Sequence, residues 1–249
     1  MTKILFAITL FAIASAASKA QSFEAAMFRL EDPNNKVDYN RPDAPNQNQK
    51  FPSNRLIMFH IYLKSLIANA WDIRYQNILN GPAWLDSQHY DLSAKVEGDA
   101  LLTKAQMRPM LQNLLKDSLH LAAHIENRLV PGYALVIAKG GSRLKANTGA
   151  PYSGMSNNFQ FRFQNSPVEA IAQSIEWALK QPVVDMTGLP GNYDYELKFA
   201  PDSADNPVYS GFPTIFTAVE EQLGLKLEPR KVPRDYLIID HVDRVPTEN

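Results

Sequence analysis

Residues 90–96 read Tyr-Asp-Leu-Ser-Ala-Lys-Val, and a similar stretch, Tyr-Asp-Tyr-Glu-Leu-Lys-Phe, returns at residues 193–199. The two stretches are 103 positions apart. A second segment, Pro131 with residues 133–137, returns as Pro233 with residues 236–239 at nearly the same spacing. A period that two separate segments keep indicates a duplicated structural unit. We therefore expect two similar halves, in which the repeated stretches form equivalent strands.

The duplication predicts an α+β fold with two tandem similar halves. Each half reads strand, helix, short strand, strand, helix, strand, strand, which gives an antiparallel-rich sheet with two helices. The first half is predicted over residues 21–144, with a polar excursion at 31–52, and the second over residues 159–249. Residues 145–158, rich in Asn, Ser, Gly and Pro, are predicted as the linker. The pattern is compatible with two lobes and with one continuous sheet.

Four helices have recognisable start signals. One is predicted after Ser53, where apolar residues recur at helical spacing. A second is predicted at Thr103, where Thr-Lys-Ala-Gln fits a capping box, with a kink or a late start at Pro109. The third is predicted from Ser166-Pro167-Val168-Glu169 and the fourth over residues 215–223.

Each second helix is followed by sequence that predicts two short strands joined by a turn. In the first half these strands are residues 119–125 and 133–138, and in the second half residues 225–227 and 236–239. The alternation of apolar and polar residues favours strands at these positions. The proline residues between them favour a turn.

The N-terminus is typical of a secretory signal peptide over residues 1–20. Lys3 precedes an apolar run at residues 4–14, and Ser18-Lys19-Ala20 offers small residues for cleavage before Gln21. This run is shorter than the roughly 20 residues that span a bilayer. We therefore expect a periplasmic or secreted protein with no membrane span after the signal is removed.

Composition excludes several functions. The chain contains no cysteine, which excludes disulfides, cysteine nucleophiles and thiolate metal sites. Its net charge of −1 and the lack of a concentrated basic face argue against a nucleic-acid partner. No Gly-x-Ser-x-Gly elbow or phosphate-binding loop is present.

Several ordered motifs resemble one known family. Among them are Gly-Pro-Ala-Trp-Leu-Asp at residues 81–86, Ala-Lys-Gly-Gly at 138–141, and Pro-Val-Val-Asp-Met-Thr-Gly-Leu at 182–189. Together they resemble the soil-associated family of acidobacterial secreted proteins, a family of unknown function, over essentially the whole mature chain. The resemblance implies export and a sensing or interaction role, and it supplies no catalytic residues. Gly132 departs from the β-branched residue that is common there.

Candidate binding residues are few. His120 and His124 have metal-ligand spacing on a helix, but the alternation around them predicts a strand, on which they would lie roughly 13 Å apart. His124, Glu126 and Arg128 share one strand face, either as a binding patch or as solvated ion pairs. Trp84 is either a ligand platform or a side chain packed over a sheet edge. We expect neither a metal nor a cofactor.

The Asp-Met-Thr-Gly sequence at residues 185–188 is similar to an aspartic-protease loop, but an extra residue separates Asp185 from Thr187. It favours a tight turn held by Asp185 and relieved by Gly188. The leading interpretation is a non-catalytic binding or sensing module of the cell envelope, which uses an edge strand to contact an envelope protein or a small ligand. The alternative is a secreted hydrolase with an unrecognised active site.

Overall fold

The computed structural model describes residues 22–31, 52–147, 149–201 and 211–247. The predicted signal peptide and nearly all of the predicted polar excursion at 31–52 lie outside these residues. Within them the chain is a mixed α+β protein with four α-helices and eleven strands in antiparallel-rich sheets. None of the helices in this part of the chain is long and apolar enough to cross a membrane.

The secondary structure alternates between strands and helices along the chain. The elements up to the first long strand are β1 (Ala25–Leu30), β2 (Arg55–Tyr62), α1 (Leu63–Trp71), β3 (Ile78–Leu79), β4 (His89–Lys95), α2 (Lys104–Leu119) and β5 (Ala122–Ile137). Those that follow are β6 (Lys145–Ala146), β7 (Ser153–Ser156), β8 (Gln160–Pro167), α3 (Val168–Leu179), β9 (Val183–Asp185), β10 (Asn192–Lys198), α4 (Ile215–Leu223) and β11 (Leu225–His241).

The strands form three sheets. Two are antiparallel, with strand orders β1-β4-β2 and β6-β10-β8-β7. The third has the order β3-β11-β5-β9, and its two short outer strands run parallel to their neighbours. The long strands β5 and β11 run antiparallel, because His124 contacts Asp240 while the amide of Ala138 donates to the carbonyl of Gly224.

The described residues form two compact units. Unit 1 contains the residues up to Ile125 together with those from Tyr236 onward, and unit 2 contains Glu126 to Asp235. Each long strand therefore contributes one end to each unit. The units do not follow the chain halves predicted from the sequence, and the predicted linker at residues 145–158 carries β6 and β7.

The hydrophobic cores show what the long strands contribute. In unit 1, Leu237 and Ile239 of β11 pack into the core that α1 and α2 form. In unit 2, Leu135 of β5 packs with Leu225 and Leu227 of β11 against α3 and α4. Burial of such side chains contributes roughly 1.5–3 kcal/mol each. The core of unit 1 is thus completed by residues from the end of the chain.

The same order of elements occurs twice. Strand, helix, short strand, strand, helix, long strand describes β2 to β5 and again β8 to β11. Tyr90 lies on β4 and Tyr193 on β10, which hold the same place in the two runs. The superposition of the runs as one repeated unit stays a prediction.

Two helix boundaries differ from the sequence-based expectation. The helix predicted after Ser53 begins only at Leu63, because residues 55–62 pair with β4 instead. Ser166 does not cap α3, whose N-cap is Pro167. The capping box at Thr103 is confirmed, and α2 runs through Pro109 from Lys104.

The two predicted strand–turn–strand segments are also wrong, since β5 and β11 are each continuous. Proline is tolerated in a strand where its missing N–H is not needed for pairing. Gly132 allows β5 to continue, because a Cβ at this position would lie 2.5 Å from the carbonyl oxygen of Pro182. Close backbone approach is a use to which glycine is suited.

Candidate functional site

The predicted polar patch on β5 is occupied by ion pairs at its ends. In unit 1, His124 Nδ1 lies 2.8 Å from Asp240 Oδ2 on β11. In unit 2, Arg128 donates to Glu126 Oε2 at 2.6 Å. All four side chains are about half exposed. Exposed pairs of this kind contribute little free energy, so this geometry agrees with the ion-pair alternative and leaves the binding role a prediction.

His120 and His124 contact different carboxylates. His120 is the left-handed C-cap of α2 rather than a strand residue, and its Nδ1 lies 2.8 Å from Asp243 Oδ2. His124 is on β5 and pairs with Asp240. Trp84 lies in a short 3-10 helix, Ala83–Asp86, and packs half-buried against the core of unit 1. This placement agrees with the prediction that Trp84 is a packed side chain, and its role as a ligand platform stays a prediction.

The Asp185 segment forms the predicted turn. The amide of Thr187 donates to Asp185 Oδ1 at 2.9 Å, and Gly188 has a φ of +67°. The left-handed backbone favours glycine at this position. Asp185 therefore organises its own loop, in agreement with the turn that the sequence predicted.

The aspartates of the repeated Tyr-Asp pairs bind backbone amides. Asp91 Oδ1 accepts a hydrogen bond from the amide of His60 at 3.2 Å, and Asp194 Oδ1 accepts one from the amide of Asn165 at 2.9 Å. Both amides belong to residues with a left-handed φ, 49° at His60 and 52° at Asn165. In each unit an aspartate thus holds an irregular residue near the end of the strand that leads into a helix.

Unit 1 places two imidazoles and a carboxylate at this irregularity, and sequence reasoning missed them. Glu31, which follows β1, lies with its Oε2 2.9 Å from His60 Nδ1 and 3.6 Å from His89 Nδ1. The rings of His60 and His89 stack at 3.8 Å. Burial lowers the pKa of His89, and nearby His60 lowers it further while Glu31 opposes the change. The spacing of these residues along the chain matches no local motif.

Unit 2 contains a cleft of about 390 Å³ at the C-terminal end of α3. This volume lies within the range of small-molecule sites. Its lining residues are Asn158, Trp177, Ala178, Leu179, Lys180, Phe199, Ala200, Pro201 and Ile215. Trp177 is 46% exposed, whereas Phe199 and Ile215 are buried at the base. No carboxylate or imidazole belongs to this lining within the described chain.

Lys180 gives the cleft its one charged group. Its Nζ lies 4.5 Å from the centre of the Trp177 ring, which is within range for a cation–π interaction. Lys180 takes a left-handed φ of 55° as the C-cap of α3. A tryptophan followed three residues later by a lysine at a helix end is the only sequence signal that marks this cleft, and it is a weak one.

Strongly shifted carboxylates and phenols lie elsewhere. Hydrogen bonds from Lys198 and Arg162 lower the pKa of Glu196 to about 2. Burial, with help from Asp86, raises the pKa of Tyr75 to about 12. None of these groups lines the cleft, and pairing or burial accounts for both shifts. Among the described lining residues, the polar groups of the cleft are those of Asn158 and Lys180, and no acid–base pair is present.

β7 is one of the two outer strands of the sheet β6-β10-β8-β7 in unit 2. All four residues of this strand are exposed, and only β8 pairs with it among the described strands. Tyr152 beside it is 64% exposed and Met155 is 47% exposed. Four residues offer a short template for strand addition, so the cleft is the better-defined feature of the unit.

These features define a two-unit α+β protein with a largely apolar cleft among the described residues of unit 2. A family model described as a protein of unknown function (DUF3738) matches residues 64–242. The chain belongs to this family. No curated protein and no solved structure matches it. The acidobacterial and soil association stays an expectation from the sequence.

Proposed function

We propose that this protein is an exported, non-catalytic binding module of the cell envelope, and that the cleft beside Trp177 is its ligand site. The composition of the cleft supports the proposal. An active site concentrates titratable groups in a pocket, whereas this lining is apolar except for Asn158 and Lys180. The arrangement is that of a site that holds a ligand and does no chemistry on it.

The cleft specifies a ligand with two chemical parts. Trp177, Leu179 and Phe199 offer apolar and aromatic surface, which suits a flat or branched apolar group. The ammonium of Lys180 above the Trp177 ring suits an anionic group beside it. The ligand class is therefore an apolar group that carries a carboxylate, sulfonate or phosphate, either as a small molecule or as part of an envelope protein.

Export is part of this proposal. It rests on the Lys3, apolar-run and Ser18-Lys19-Ala20 pattern. We expect the protein recovered from cells that express all 249 residues to have the intact mass of a chain that begins at Gln21. A recovered mass that still includes residues 1–20 contradicts export by this signal.

Binding of the anionic apolar dye anilinonaphthalene sulfonate (ANS) to the exported protein tests the cleft. We expect one saturable site, with energy transfer from Trp177 to the dye. Trp177→Ala should weaken ANS binding by about tenfold, which corresponds to roughly 1.4 kcal/mol. Lys180→Gln should weaken ANS and leave the neutral dye Nile red unaffected, because only ANS carries a charge.

Leu129→Ala is the matched control, since Leu129 is 65% exposed on β5 and lies outside the cleft. Equal ANS affinity in the wild type and all three variants would remove the cleft from the proposal. Turnover of a fluorogenic ester or peptide that one substitution abolishes would show that the protein is a hydrolase instead.

A further inference from the structure

We propose that Glu31, His60 and His89 of unit 1 bind a divalent transition-metal ion, and that zinc fits these ligands best. This site is separate from the cleft of unit 2. One ligand atom from each residue lies within 4.8 Å of the other two. Two imidazoles and one carboxylate form a ligand set that zinc accepts, with a fourth position left open for water or a ligand group.

Two of the three distances between donor atoms are close to those around a tetrahedral ion. Bonds of about 2.0–2.1 Å to zinc place neighbouring ligand atoms about 3.3 Å apart. Glu31 Oε2 lies 2.9 Å from His60 Nδ1 and 3.6 Å from His89 Nδ1. Binding of one ion therefore requires the two stacked imidazole rings to turn until a nitrogen of each points at it.

Unit 2 shows that the backbone does not need these imidazoles. Tyr62 pairs with His89 in unit 1, and Pro167 pairs with Asn192 in unit 2, so His60 and Asn165 each lie two residues before the paired strand residue. There Asn192 Nδ2 donates to Asn165 Oδ1 at 2.8 Å. Asparagine thus adopts the same left-handed conformation. The fold therefore does not require imidazole side chains at the two histidine positions of unit 1.

Neighbouring groups hold the histidines in place. Asp91, which is buried, accepts from the His60 amide and pairs with Arg29 at 3.2 Å. The ring of Tyr62 stacks on His89 at 4.3 Å. The amide of Glu31 donates to the carbonyl of His89 at 3.0 Å. Fixed orientation of ligands by such outer contacts is a feature of protein metal sites.

Partial burial favours a bound ion over a simple surface ion pair. The side chain of Glu31 is 14% exposed and that of His89 is 23% exposed, whereas His60 at 42% leaves one open side. The other histidine–carboxylate contacts are more exposed: His124 pairs with Asp240, and Asp243 is shared by His120 and His241. Among the described residues, only Glu31, His60 and His89 place one ligand atom each within 4.8 Å of the other two.

The test is metal titration of the untagged exported protein after dialysis against a chelator. We expect one equivalent of zinc to bind, with a higher Tm in its presence. Cobalt(II) should give the visible absorption of a four-coordinate ion. His60→Asn and His89→Asn, which carry the residues of unit 2, should bind zinc at least about tenfold more weakly while their metal-free Tm stays near that of the wild type.

His124→Asn is the matched control, because it removes an exposed histidine that pairs with one aspartate. It should keep the full zinc affinity. If a histidine variant fails to fold, Glu31→Gln provides the second measurement and should lose cobalt absorption. If the wild type does not bind zinc, or if the wild type and the variants bind it equally, the proposed zinc site is wrong. Glu31, His60 and His89 then form ion pairs only. ANS binding tests the cleft separately and should not depend on zinc.

Discussion

At the scale of single residues, aspartates and tyrosines on β4 and β10 organise the backbone. Asp91 and Asp194 each hold the amide of a left-handed residue. Tyr90 is fully buried, and its hydroxyl donates to the carbonyl of Arg244 at 2.6 Å. The repeated Tyr-Asp pair thus makes contacts that organise the fold.

Ionisation of Tyr90 should lower the free energy of unfolding at alkaline pH. Burial raises its pKa from 10.0 to about 12, although Arg244 opposes the change. Between these values the folded protein keeps a proton that the unfolded chain loses, so stability falls as pH rises from 10 to 12. Once pH exceeds both pKa values, the free energy of unfolding has decreased by on the order of 2–3 kcal/mol. Tyr90→Phe should reduce this fall, as measured by urea unfolding at pH 8 and pH 11.

The control for this experiment is Tyr193→Phe. The hydroxyl of Tyr193 lies at a more exposed position on β10 and donates to the carbonyl of Pro190. This variant retains Tyr90 and should keep the alkaline fall. Some dependence should remain in Tyr90→Phe, because burial also raises the pKa of Tyr195. An identical fall in wild type and Tyr90→Phe contradicts the assignment.

At the scale of elements, the two long strands β5 and β11 differ most from the structure that the sequence predicted. Prolines in the middle of these strands favoured turns, yet β5 and β11 are each continuous and are neighbours in one sheet. Continuity depends on close packing at Gly132, where a Cβ would meet the Pro182 carbonyl and Val232 Cγ2 at 2.5 and 2.8 Å. The amide of Tyr133 donates to the same carbonyl at 2.8 Å, which anchors β5 at this point.

Gly132→Ala should therefore destabilise the protein by roughly 1–3 kcal/mol, because the added methyl forces β5 away from residue 182. Gly140→Ala is the matched control, since no atom lies within 4 Å of its Cβ position. Chemical denaturation of both variants measures the difference. Equal stability of the two variants contradicts a close contact at Gly132.

At the scale of the whole molecule, each unit takes residues from both halves of the chain. Leu237 and Ile239 complete the core of unit 1, although their nearest partners in that core lie in the first half of the sequence. Loss of buried leucine and isoleucine side chains costs about 2–5 kcal/mol each. That is a large part of the stability of a domain.

We expect the first chain half alone, residues 22–144, to lack a cooperative thermal transition by circular dichroism. Addition of a peptide that covers residues 225–247 should restore one, because it supplies Leu237 and Ile239. A peptide with Leu237→Ala and Ile239→Ala is the control and should fail. Cooperative melting of residues 22–144 by themselves contradicts the shared core and favours the sequential domain boundaries.

Local signals in the sequence predicted the local structure. The α+β class, the helices capped at Thr103 and ending before Gly224, the Asp185 turn and the placement of Tyr90 and Tyr193 on strands all depend on residues close together in the chain. Capping and turn formation are decided within a few residues. A match to a family of unknown function extends over residues 64–242, because motifs keep their order along the sequence.

The tertiary structure alone decided how distant segments meet. Pairing with β4 made residues 55–62 a strand despite their helical spacing. The sharing of β5 and β11 between the units, the cleft at Trp177 and the meeting of Glu31, His60 and His89 all join residues far apart in the sequence. Such contacts form because burial and strand pairing across the chain outweigh local preference, and no spacing within a single element reveals them.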